Sequence, residues 1–166
     1  MTLRIVGITA LTTLLAGCGG HMHDGDDMAW QFREYSSLGE QIYFTGRGED
    51  GRQIPFSGGH HHMRMHGGGC VTCHGADREG GQVMWPRFWV RAPALTPEAL
   101  GLNESGAHED GHADGDHEHE AYTAETLKRA IIEGVEPDGR RLDDAMPRWA
   151  LSPAEAEALV AYLMSE

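Results

Sequence analysis

The sequence predicts an all-α domain of short helices, and three observations carry that prediction. Apolar residues follow Ser or Thr caps, or recur at helical spacing behind them, in four places: 36–44, 96–100, 123–133 and 152–163. Long Gly- and His-rich stretches with no sustained period separate these segments. The close pair Cys70 and Cys73 has no strand–helix–strand pattern on its flanks, which removes an α/β frame. The 166 residues suffice for one compact domain with tails.

Residues 1–17 read as an export signal. Arg4 supplies the charged start, and Ile5–Ala16 has the length of a signal core, short of the ~20 apolar residues that cross a bilayer. The run Leu15-Ala16-Gly17-Cys18 resembles a bacterial lipobox, in which the cysteine is acylated and becomes the first mature residue. Cys18 is therefore expected to anchor the chain to a membrane. The small polar residues of 18–35 would tether the folded domain, 36–166, to the lipid.

The first helix is expected behind Ser36-Ser37, with Leu38, Ile42, Tyr43 and Phe44 as its apolar residues. Residues 46–69 read as a loop with a short hairpin around Arg52–Phe56. Residues 82–95 hold Trp85, Phe88, Trp89 and Val90 between prolines and read as an irregular apolar wrap. Thr96 and Pro97 open a short helix. Residues 103–120 contain four histidines, seven carboxylates and neither Lys nor Arg, the composition of a flexible acidic insertion. Thr123 caps a helix that Gly134 stops, with Leu127, Ala130 and Ile131 on one face. The last helix has a capping box, Ser152 with Glu155, and Pro153 at its first position. Ala156, Leu159, Val160 and Leu163 then recur at i, i+3, i+4 and i+7.

Cys70-Val71-Thr72-Cys73-His74 is the attachment pattern of a c-type haem. Two thiols reach the two vinyl groups on one porphyrin edge, and the next residue places an imidazole under the iron. A zinc site would need a second ligand pair with proper spacing, and there is no second cysteine pair. With Cys18 lipidated, no cysteine of the three is left for a disulfide. The sixth iron ligand is best placed at Met146, where Pro147 stiffens the loop before the last helix. Met84, Met63 and Met65 are the alternatives, and the histidines of 60–66 compete as well.

The chain resembles a class I c-type cytochrome, of the small bacterial monohaem kind. Gly39-x-x-x-Tyr43, Cys70–His74, Ala92-Pro93-Ala94-Leu95, Asp138-Gly139-Arg140, Met146-Pro147-Arg148-Trp149 and Leu159-x-x-Tyr162 carry the resemblance, in the family's order across about 36–165. It implies short helices wrapped round one covalent haem c. It also implies a close crossing of first and last helices at Gly39, with Tyr43 packed near Leu159 and Tyr162. The proximal His74 would donate its other ring N–H to a proline carbonyl, at Pro93 or else Pro86. Two departures, the long stretch from Tyr43 to Cys70 and the acidic loop 103–120, alter the surface rather than the haem site.

His60-His61-His62-Met63-Arg64-Met65-His66 and the acidic loop have residue types suited to Cu, Zn or Ni. Their Gly-rich settings point to loose chelation rather than a specific site. Lys and Arg number 13 against 26 Asp and Glu, a formal charge of −13 that excludes a nucleic-acid partner. The expected function is one-electron transfer in an extracytoplasmic respiratory or redox chain, between redox protein partners and without a small-molecule substrate. The expected location is the bacterial cell envelope, periplasm-facing or at the surface, on the inner or the outer membrane. The competing readings are the haem-bearing subunit of a larger oxidoreductase complex and a His-rich metal-binding lipoprotein.

Overall fold

The computed structural model describes residues 33–85, 88–102 and 121–165. The leader, most of the tether and the acidic loop lie outside those residues. So does Pro86, and so does the side chain of Met84. Among the described residues, no helix is long and apolar enough to cross a membrane.

Among the described residues there are five helices and two small ribbons: α1 (Leu38–Thr45), β1 (Phe56–Ser57), α2 (His61–His66), α3 (Val71–His74), β2 (Gly81–Trp85), β3 (Phe88–Ala92), α4 (Ala124–Glu133), β4 (Arg148–Trp149) and α5 (Pro153–Leu163). This is the all-α architecture the sequence predicts, with little strand added. Helix α1 starts where Ser37 Oγ accepts the Glu40 N–H at 3.1 Å, and it stops at Gly46, whose φ of +64° is left-handed. Helices α4 and α5 start at reciprocal capping boxes, Thr123 with Thr126 and Ser152 with Glu155.

Helices α1 and α5 meet with their backbones close. A Cβ at Gly39 would overlap the Ala158 carbonyl, so only glycine admits this approach. Tyr43, fully buried, tilts against Tyr162 with ring centres 5.4 Å apart. Ile42, Leu127, Ile131, Leu159 and Leu163 continue one core through α1, α4 and α5. Burying each such side chain stabilises the fold by about 1.5–3 kcal/mol relative to exposure.

Four local expectations are corrected. Within 46–69 the chain forms helix α2, because His60 Nδ1 accepts the His62 N–H at 3.2 Å and Met63 buries itself as an inward anchor. The short hairpin expected around Arg52–Phe56 forms slightly upstream, where Arg47 bridges Gln53 antiparallel and Gly48 N–H donates to Arg52 O at 3.0 Å. Phe56–Ser57 instead pairs antiparallel with Arg148–Trp149, the Phe56 and Trp149 rings 4.9 Å apart. The stretch from 82 is an antiparallel hairpin, with Val83 opposite Val90 and Trp85 opposite Phe88. Pro93 follows the last residue of β3 instead of interrupting its ladder. Residues 96–100 make one turn only, because Gly101 takes φ +73° directly after it.

Candidate haem site

A cavity of about 1390 Å³, its open mouth included, lies between the Cys70–His74 turn, the β3 exit, α4 and the loop before β4. Leu100, Leu127, Ala130, Ile131 and Leu163 form its apolar back wall. Cys70, Cys73, His74, Pro93 and Met146 all line it.

Helix α3 presents the attachment residues. His74 N–H donates to Cys70 O at 2.9 Å, which closes the turn and leaves the imidazole 5 % exposed. His74 Nδ1 lies 2.8 Å from the Pro93 carbonyl oxygen. A carbonyl only accepts, so the proton sits on Nδ1 and the Nε2 lone pair is available to a metal. Burial holds the His74 pKa below the usual imidazole range, partly offset by that hydrogen bond, so the ring is in its neutral, ligating form.

Three contacts fix the segment after His74. Tyr43 Oη donates to Gly75 O at 2.6 Å, which ties it to α1. Arg78 donates to the carbonyls of Tyr162, Leu163 and Ser165 at 3.2, 3.3 and 2.9 Å, which ties the segment to the end of α5. A Cβ at Gly80 would stand 2.5 Å from Ala92 O and 2.8 Å from Pro93 C, so Gly80 lets this segment pass the Pro93 strand at hydrogen-bond range of His74.

Cys70 and Cys73 are free cysteines. Burial pushes the Cys70 thiol up to about 12 and raises Cys73 as well. Redox dithiols need the opposite shift, toward a stable thiolate. The upward shift speaks against dithiol exchange.

Met146 lies in a loop held by one arginine. Arg148 donates to Met146 O, to Leu142 O at 2.8 Å and to Asp143 O at 3.4 Å. Its side chain runs over Gly134, where a Cβ would overlap the guanidinium. Met63 is 2 % exposed and lines the same cavity, as does His60; Met65 is 67 % exposed and does not. Trp149 also lines the cavity, and among the described residues its buried Nε1 has no hydrogen-bond partner. A buried donor left so costs about 1–3 kcal/mol unless a ligand accepts from it. Two cysteines, a neutral imidazole, an apolar chamber and an orphan donor together fit a flat macrocycle that carries carboxylate arms. Among the described residues, no group of three or more His, Cys, Asp or Glu could hold a bare metal ion.

Arg78, Gly80, Arg148 and Trp149 Nε1 were not singled out from the sequence as site-building groups. Gly80 and Gly81 before an apolar run were the one visible signal of a close backbone passage.

No curated protein and no solved structure matches the chain. The family model for cytochrome c matches residues 36–166. That match runs from the cap of α1 through α5, and the chain therefore belongs to the cytochrome c family.

Proposed function

We propose that this haem-based electron-transfer protein is a membrane-tethered, one-electron carrier, with a single covalent haem c whose iron is ligated by His74 and Met146. The observation that carries the reading is one apolar cavity lined by both a neutral, carbonyl-oriented His74 and the Arg148-held Met146. The bound haem supplies a ferric/ferrous couple. Cys70 and Cys73 hold it by thioether bonds. His74 and Met146 would both ligate its iron, a donor set that suits relaying electrons rather than activating oxygen or peroxide. The aliphatic walls exclude water, and with the thioether ligand they favour the ferrous state.

The signal 1–17, lipidation at Cys18 and the 18–35 tether would place this domain at the face of an envelope membrane, in a respiratory or redox chain. With a net charge of −13, a donor or acceptor carrying a basic docking face would meet it fastest.

The test is the oxidised and reduced optical spectrum of the protein made with haem maturation factors. We expect low-spin iron and a long-wavelength methionine–iron band in the ferric form, which Met146→Ala abolishes. Loss of that band in Met63→Ala instead, or a high-spin spectrum in the unaltered protein, would overturn the ligand assignment.

A further inference from the structure

Helix α2 carries a second feature that the haem site does not use. His62 and His66, both exposed, stand one helical turn apart, and their ring centres are 4.6 Å apart at an interplanar angle of 37°. Neither ring takes part in a salt bridge among the described residues. The helix that presents them is fixed rather than loose. Met63 is buried on its inner side, Gly67 N–H closes it onto Met63 O at 2.8 Å, and His60 caps its start.

From this geometry we infer that His62 and His66 form a surface chelate for a late transition-metal ion, Cu(II) above others, with water in the remaining positions. The 4.6 Å separation puts both rings on one side of the helix, within reach of a single ion. Of the divalent first-row ions, copper binds nitrogen donors most tightly. The pair is distinct from the haem cavity, since neither His62 nor His66 lines it.

The test uses the full chain with haem attached, freed of metal by a chelator and titrated with Cu(II) alone. Cupric paramagnetic resonance counts the bound ions, and the nitrogen couplings count their imidazoles. Compared with His62→Ala/His66→Ala, the unaltered protein is expected to bind one more equivalent, coupled to two imidazoles. His61→Ala, one residue out of that register, is expected to leave the isotherm unchanged. All variants retain the histidines of 103–120, so any copper held there cancels in the comparison. Identical isotherms for the unaltered protein and the double variant would overturn the site, and so would an equal loss in His61→Ala. The haem spectrum, read in the same samples, reports that each variant is folded.

Discussion

Arg148 turns its guanidinium toward carbonyl oxygens rather than carboxylates, and the loop it gathers is the one that bears Met146. A thioether is a weak iron ligand, so with Met146 as the proposed ligand its retention would depend on how seldom that loop opens. Hydrogen bonds from a charged donor contribute about 1.5–3 kcal/mol. Arg148→Met should therefore raise the ferric population lacking the methionine ligand roughly tenfold to a hundredfold. The measurement is the pH at which the long-wavelength band disappears, which should fall in Arg148→Met and recover in part in Arg148→Lys. An unmoved midpoint would mean the loop holds without its arginine. Glu40 plays a similar part at α1, accepting from Ser36 Oγ at 2.6 Å, Ser36 N at 2.7 Å and Arg33 Nη2 at 2.7 Å. The Ser36 hydroxyl first, then its backbone N–H, then Arg33 hold the Glu40 carboxyl below the usual glutamate range, against its desolvation. A carboxyl depressed in the folded state gives stability that is complete above the unfolded value, about 4.3, and lost as pH falls through the folded one. Glu40→Gln should thus cost about 1–3 kcal/mol at pH 7 and much less at pH 3, read by denaturant unfolding at both.

At the scale of elements, the crossing of α1 and α5 has the least slack. Gly39→Ala would force the two backbones apart, with an expected loss of about 1–3 kcal/mol, as overpacking typically costs. Thermal unfolding should register it, and a melting temperature unchanged from the parent would show that the helices can part freely. The elements legible in the sequence were those with local signals. Ser152, Pro153 and Glu155 announce α5, and Thr123 and Gly134 bracket α4. The elements missed depend on distant partners. Helix α2 has Met63 as its one buried residue, too little for a period to show. Strands β1 and β4 are two residues each and exist only because Phe56 meets Trp149 across the fold. The β2–β3 hairpin was obscured because Pro93, which stands just past its end, reads in sequence as a break. For the same reason Cys70, Cys73 and His74 could be read from their spacing, whereas the carbonyl grip of Arg148 and the orphan Trp149 Nε1 exist only in three dimensions.

For the whole molecule, the proposed lipid anchor and the net charge of −13 bear on which partners it would meet. Cys18→Ala, expressed with its leader intact, should move the protein from the membrane fraction to the soluble envelope fraction without changing the haem spectrum. Continued tight membrane association would refute the lipid anchor. The spectrum should stay the same because the matched domain begins at residue 36, beyond the tether.

The segment that follows His74 is gripped by Tyr43 from the first helix and by Arg78 at the end of the last. The two extremities of the domain thus both hold the segment directly after the imidazole. Such a frame resists adjustment when the centre gains or loses a unit of charge. With haem held as proposed, little nuclear motion would accompany each redox event, which would lower the activation barrier to electron exchange.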